Sequence, residues 1–542
     1  MKLDLRLVSP LEKVFSDTAP VGGYRSATAL MNETASFQAA WIAPEGPWRD
    51  YVDLVVECDA DVNVRYVRSV PVQFITMDGA DKDYLRDKPG LFPDPLDVMP
   101  PDHARAYQFR WEAFWIDIEN AAAGVHPVKI IVKNLAGEVL AEDTFTLRVI
   151  AAELPEQKLI HTKWFYCDGI CQYYGVEMWS EKFWEICENF VRAYVKGGMN
   201  MLLTPIHTPP LDTAVGGERM TCQLVDVYLG NDGFHFGFER LERWVEMAER
   251  CGVKYYEMAH LFTQWGAKHA PKIIADVCGE KKQVFGWDTD ALGDEYRDFL
   301  HEYLHELCDE LEKLGIKDRT LFHISDEPNL TMLEDYRAAH DMAAHFLHGM
   351  PIIDALSNFE FYKTGAIEKP IPSINHMDEF VAANIPGLWT YYCIGQYKDV
   401  VNTFIAMPGQ RTRMLGVMLY KYDIEGFLQW GFNFYNSQGS TRPIDPWVNT
   451  DCDGFGPAGD AFQVYPGEDG QPVMSQRMML CAEAMYDLRA LRLLESLKGR
   501  DFVLSVLEEG IAPITFTQYP REAAWLLNMR EKVNAEIEKA TK

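Results

Sequence analysis

The chain has 542 residues, 48% of them hydrophobic and 24% charged, enough apolar sequence to bury a large core without disulfides or metal. Its 51 Lys and Arg against 81 Asp and Glu leave a net charge of −30, a surface that repels phosphate backbones and anionic lipid, so neither nucleic acid nor membrane is an expected partner. No stretch approaches the ~18 uninterrupted apolar residues of a transmembrane helix, and the aliphatic and aromatic share is too high for intrinsic disorder.

The N-terminus, MKLDLRLVSPLEKVFSD, has no basic region followed by a long apolar core and so does not read as a secretory signal. The 11 cysteines are scattered, with no CxxC pair, which fits free thiols in a reducing compartment. The expected location is the cytoplasm. A homo-oligomer is compatible with so acidic a chain, although no motif specifies one.

Residues 1–152 alternate with period two: Val52, Leu54 and Val56, then Val128, Ile130 and Val132, then Phe145, Leu147 and Val149. Short alternating runs predict half-buried antiparallel strands. Turn signals at Gly22-Gly23, Asp59 to Asp61 and Asn134 to Gly137 separate them, so an N-terminal β-sandwich domain is expected. Lys88 to Pro101, with five prolines, is expected to be a long loop.

From residue 153 to 500 strand-like runs alternate with amphipathic helical runs. The strand candidates are Leu159–Tyr166, Met199–Ile206, Lys254–Phe262, Thr320–Asp326, Pro351–Leu356, Ile371–Asn375, Leu388–Cys393 and Gly426–Asn433. The helices fall near Trp179–Lys196, Phe238–Cys251, Asp290–Leu314, Met332–Leu347, Asp378–Asn384, Asp399–Lys421 and Met474–Leu497, with none clear after the fifth strand. Eight such units predict an α/β fold with a parallel sheet, a (β/α)8 TIM-like barrel; a doubly wound sheet is the alternative. Residues 501–542 read as a helical extension packed on the barrel.

A barrel carries its active site at the C-terminal strand ends. The fourth candidate strand closes on Ser325-Asp326-Glu327-Pro328. In an ideal strand neighbouring side chains point to opposite faces, so a bend is needed to bring both carboxylates to one pocket, while Pro328 favours extended geometry at Glu327. Two close carboxyls raise one another's proton affinity, giving the proton donor beside an anion that glycoside hydrolysis uses. An acidic start to the next helix would explain the pair equally well.

The other strand ends shift that balance. Trp164, His207, His260, Trp265, Trp389, Tyr391, Tyr392, Trp430, Asn433 and Tyr435 stand there. Aromatic faces pack on sugar C–H faces and polar side chains take the hydroxyls. Any one of these aromatics is more often core, and either histidine is as readily structural as ligand-binding; the clustering carries the reading. His301-Glu302-Tyr303-Leu304-His305 matches the HExxH zinc pattern, but Leu300, Leu304, Leu307, Leu311 and Leu314 make that helix a core-packing one, so no metal and no cofactor are expected. Asp451-Cys452-Asp453-Gly454 lacks the further ligands of a calcium loop and reads as a turn.

His323-Ile324-Ser325-Asp326-Glu327-Pro328 resembles the Asp-Glu motif of glycoside hydrolase family 123 and of the related family called domain of unknown function 4091. Gly387 to Cys393 is similar to the family's Trp-x-Tyr-x-Cys strand, and Gly426 to Asn433 to its Gly-Phe-Leu-x-Trp-Gly-x-Asn strand. Asp445-Pro446-Trp447, Gly459-Asp460, Tyr465-Pro466-Gly467 and Ser475-x-Arg477 match as well, over roughly residues 155 to 495. The resemblance implies a sandwich-plus-barrel retaining exo-β-N-acetylgalactosaminidase with substrate-assisted catalysis. The 2-acetamido oxygen would attack C1 to form an oxazoline, Glu327 would act as general acid and then base, and Asp326 would hold the acetamido N–H. The implied partner is a glycan or glycoconjugate ending in β-linked N-acetylhexosamine. Ala484 and Met474 depart from the usual Gly and Pro, and the His207–Arg219 and Thr263–Lys282 loops are unusual. A glycosidase of the same fold acting on another sugar, and a non-catalytic glycan-binding protein, are the alternatives.

Overall fold

The computed structural model describes residues 2–100 and 103–542. Two five-stranded sheets form from the N-terminal residues. One orders Lys2–Val8, Ala35–Glu45, Glu112–Glu119, Asp61–Val72 and Gly90–Asp97, all antiparallel. The other orders Ser26–Met31, Val139–Glu153, Gly124–Asn134, Arg49–Glu57 and Ala104–Tyr107, antiparallel except where Ser26–Met31 lies parallel to its neighbour. The alternation works as expected: Val128, Ile130 and Val132, with Phe145, Leu147 and Val149, are buried. Phe145 of one sheet stacks on Phe37 of the other at 4.3 Å between ring centroids.

The proline-rich segment departs from expectation. Gly90–Asp97 is a strand rather than a loop, and Pro101 lies outside the described residues. Pro93 and Pro95 are tolerated because this is an edge strand, where a missing N–H costs no internal ladder bond. The same strand docks the β-rich N-terminal region on the C-terminal body. Buried Asp94 pairs with Arg477 (Nε–Oδ1 2.9 Å) and Lys13 (3.3 Å) and accepts the Tyr465 hydroxyl (2.7 Å).

After residue 155 the chain alternates strands and helices. Parallel strands occupy Ile160–Lys163, Met201–Thr204, Tyr255–Met258, Thr320–Leu321, Ile353–Ala355, Lys369–Ile371, Trp389–Tyr392 and Gly426–Gln429. They form not one continuous sheet but three pieces: first, eighth and seventh; second, third and fourth; fifth and sixth. Isolated parallel bridges Phe322–Ile352 and Ser373–Tyr391 link the pieces. Between the first and second strands the Asn200 side chain takes over, its Oδ1 accepting from His161 N at 2.8 Å while Asn200 N donates to His161 O at 3.0 Å. The strands are only two to four residues long, too short for an unbroken ladder. The architecture shown is thus a mixed α/β body with a β-rich N-terminal region.

The helices follow the apolar stripes. Leu300, Leu304, Leu307 and Leu311 are buried on Asp294–Lys313, while His301 and His305 are exposed. The fifth strand is followed by a helix of one turn, Glu360–Lys363. The expected Asp399–Lys421 helix is confined to Gly409–Arg413 and Leu415–Lys421, because Pro408 cannot sit inside a helix. Two hairpins, Asp226–Gly230 with Gly233–Gly237 and Ile273–Val277 with Glu280–Phe285, join in a four-stranded sheet where the sequence led us to expect no strand. The C-terminal helix Ala523–Thr541 packs on the long helix Gln476–Lys498 and also on the β-rich N-terminal region, where Asn534 Nδ2 donates to Thr28 O (3.1 Å) and Arg148 pairs with Glu538 (2.9 Å).

Candidate active site

The fourth strand runs into the site through His323, which is fully buried. Its Nε2 lies 2.7 Å from Glu257 and its Nδ1 3.0 Å from Asp354. Burial alone would lower this imidazole, but hydrogen bonds to both carboxylates outweigh it and raise it to about 9. Glu257 also accepts Trp164 Nε1 (2.8 Å) and Thr162 Oγ1 (2.5 Å), so one buried acid ties the first, third and fourth strands together under the site.

Beyond His323 the backbone bends. Trp265 N donates to Asp326 O, and Glu327 N donates to Ala355 O, both at 3.0 Å. Held between the third and fifth strand ends, Glu327 adopts a φ of +45° rather than the extended geometry expected before Pro328. A left-handed φ costs an L-residue about 1–2 kcal/mol and persists only where its surroundings enforce it. The bend brings both carboxylates into one cavity of about 200 Å³, lined also by Trp164, Asp212, Gln264, Trp265, Tyr391 and Trp430, with Cys393, Leu428 and Phe455.

Asp326 is buried, and Gln264 Nε2 donates to its Oδ2 at 3.3 Å. Burial, then the charges of Glu327 and Asp212, hold its carboxyl well above the usual range. Tyr391 donates to Glu327 Oε1 at 2.6 Å. On the other side of Glu327 and Tyr391 lies an open groove of about 370 Å³, walled by Asn329, Leu330, Ser357, Asn358 and His376. Trp430 is fixed by donating its Nε1 to Asp460 (2.6 Å), whose carboxyl burial pushes up to about 7.

Of the residues expected at the rim, Trp164, Trp265, Tyr391 and Trp430 line the cavity with the acid pair. The structure does not bring the other six to its wall. His207 binds His260 O through Nε2 (2.8 Å). His260 is buried flat against His323, 4.2 Å between centroids. Trp389 is buried with Gly426 packed on its indole, where a Cβ would come within 2.0 Å of the ring. Tyr392 faces away from the cavity with Lys163 over its ring at 5.6 Å, as strand alternation requires beside Tyr391. Asn433 pins the Tyr166 backbone, accepting from N (2.8 Å) and donating to O (3.0 Å), and Tyr435 donates to Val464 O (2.9 Å). These are positioning and packing roles. Asp212, Cys393 and Phe455 were not among the expected site residues. Asp212 and Phe455 sit in long irregular loops, where periodicity gives no signal.

Among the described residues, one group could present three ligand atoms within 4.8 Å of one another: His260, His323 and Asp354. The donor set does not fit a cation. Both His323 nitrogens are already engaged, Nε2 with Glu257 at 2.7 Å and Nδ1 with Asp354 at 3.0 Å, so neither is turned toward a shared ion. His301 and His305 have no third ligand beside them among the described residues.

A carboxylate pair with aromatic walls at parallel strand ends is an arrangement that carbohydrate-cleaving hydrolases can use. The chain belongs to glycoside hydrolase family 123: the family model "Glycoside hydrolase 123, catalytic domain" matches residues 164–494. It is therefore a glycoside hydrolase. Its fold is similar to that of a family 123 glycoside hydrolase from Clostridium perfringens, studied for glycolipid glycan hydrolysis, at 13% identity and a TM-score of 0.72, covering 99% of this chain and 98% of that one. A β-glucuronidase from Parabacteroides merdae aligns at 10% identity and a TM-score of 0.31, over 87% of this chain and 51% of its own. No curated protein matches the sequence. No helix is long and apolar enough to cross a membrane among the described residues.

Proposed function

We propose that the protein is a retaining exo-β-N-acetylgalactosaminidase that removes a terminal β-linked N-acetylhexosamine with help from the sugar's own amide. The observation that carries this reading is the joint presence of Asp326 and Glu327 in one small aromatic cavity, with Glu327 on the boundary to an open groove. The terminal sugar fills the cavity and the leaving group lies outward. Glu327 protonates the glycosidic oxygen as the acetamido oxygen closes on C1. Asp326 accepts the acetamido N–H and offsets the positive charge that develops there. Glu327 then takes a proton from the water that opens the oxazoline. Since the nucleophile belongs to the substrate, no enzyme carboxylate is needed under C1.

The Clostridium perfringens protein acts on glycolipid glycans; we extend that class of glycan to this chain as its source of substrate. The eight short strands, linked in order by bridges and the Asn200 contacts, support reading the body as a (β/α)8 barrel over 153–500, with a sandwich over 1–152 and an extension over 501–542. Free thiols at all 11 cysteines support a reducing, cytoplasmic setting. The test is hydrolysis of the p-nitrophenyl β-glycosides of N-acetylgalactosamine, N-acetylglucosamine and galactose. Release from the first, inhibited by the galactosamine-derived thiazoline, is expected; efficient release from galactose would reject substrate assistance.

A further inference from the structure

Asp212 is a third carboxylate on the cavity wall, and the proposed reaction gives it no task. It stands in the loop after the second strand and is held there firmly. Arg219 Nη1 donates to Leu211 O (2.5 Å), and Ser440 Oγ donates to Asp212 O (2.7 Å), so the carbonyls at and before this residue are both clamped. Ala214 N donates to Gly439 O at 3.0 Å just beyond. Arg219 is itself locked against buried Asp168 by two bonds of 2.9 and 3.1 Å and lies over the Tyr166 ring. Asp212 has a φ of +45°, a strained backbone that this clamp imposes.

The carboxylate that results faces the cavity without a donor. Among the described residues none hydrogen-bonds to it, although burial pushes its carboxyl up to about 7, with Arg219 opposing and Glu327 adding to the shift. Half-buried on the cavity wall and without a protein donor, its oxygens are free to accept from a ligand that enters. The cavity wall holds Asp212, Asp326 and Glu327 and no Lys or Arg. Hydroxyl donors suit such a wall; a carboxylate or sulfate would be repelled.

We propose that Asp212 is a specificity-determining residue that accepts a hydroxyl of the terminal sugar, and that it restricts the cavity to neutral sugars. The inference rests on the glycosidase reading above, in which Glu327 and Asp326 attend C1 and the acetamido group, leaving the 3-, 4- and 6-hydroxyls for Asp212.

The experiment compares wild type and Asp212→Asn on p-nitrophenyl β-N-acetylgalactosaminide and on its 3-, 4- and 6-deoxy forms. Asp212→Asn is expected to lose about 10- to 100-fold in kcat/KM on the full sugar. One deoxy sugar should show a comparable loss with wild type and no further loss with the variant. An equal variant penalty on every sugar overturns the proposal, as does a variant within about twofold of wild type. If the variant does not fold, wild type alone decides: no deoxy sugar costing more than about threefold overturns it. Turnover of a uronide or sulfated sugar, or preference for a free 2-amino sugar with the variant losing only that preference, also overturns it. Should wild type cleave a different neutral glycoside, the galactosaminide reading falls and the same deoxy series on that sugar decides Asp212. With no turnover at all, dissociation constants for the same sugars replace rates.

Discussion

Tyr391 donates its phenol to Glu327 Oε1 at 2.6 Å, and the two side chains together form the wall between the small aromatic cavity and the open groove. In the proposed reaction, this bond would hold Glu327 where a glycosidic oxygen crosses from one space to the other.

Glu327→Gln should lower kcat by about 10²- to 10⁴-fold on alkyl or sugar leaving groups, which need protonation. The loss should shrink sharply on a dinitrophenyl glycoside, which leaves unaided. Steady-state kinetics on the two substrates checks this, and equal losses would contradict an acid role.

The acid limb of kcat/KM should lie above the range of an ordinary aspartate. In the proposed reaction Asp326 has to be ionised to offset the charge that develops on the acetamido group, and burial, Glu327 and Asp212 all favour its protonated form, opposed by the His323 charge, with Asp354 adding to the shift. In Asp212→Asn the limb should move to lower pH. A pH–rate profile on each protein measures it.

Stability should fall as pH rises through 7. Asp460 is pushed up from 3.8 to about 7 by burial, so between about 4 and 7 the folded state keeps a proton that the unfolded chain has released. Its contribution is complete below about 4 and is lost as pH rises through 7. Glu483, also raised to about 7 by burial, acts in the same direction. Asp460→Asn keeps an acceptor for Trp430 Nε1 and should flatten Tm between pH 5 and 8, a change visible by calorimetry.

Arg477→Met should cost about 3–5 kcal/mol of unfolding free energy, because it leaves Asp94 buried with only Lys13 as a charge partner. Urea denaturation is the check. Trp265→Ala, by contrast, removes a side chain that is 45% exposed, and should raise KM several-fold with little change in Tm.

The acid pair was legible because Asp326-Glu327-Pro328 ends an apolar run, yet its geometry was not. Nothing local foretells the φ at Glu327, which comes from Ala355 on the fifth strand and Trp265 in the loop after the third. The same limit applies to the rim. Trp164, Tyr391 and Trp430 face the cavity while Tyr392 and Trp389 do not, and strand position alone could not separate them without the register. The edge strand at Gly90–Asp97 was obscured by prolines that an edge accepts. The hairpin turning at Asn231-Asp232-Gly233 does carry a turn signal between alternating residues, so this element was open to a local reading.

The amino-acid sequence by itself determined the alternation of the eight parallel strands with helices, the buried stripes and the residues able to do acid–base chemistry, because periodicity and side-chain type are local properties. Only the tertiary structure decided which of those side chains share a cavity and which merely support it. Convergence depends on hydrogen bonds between segments far apart in the chain, and burial is what moves Asp326 and Asp212 away from ordinary carboxyl behaviour.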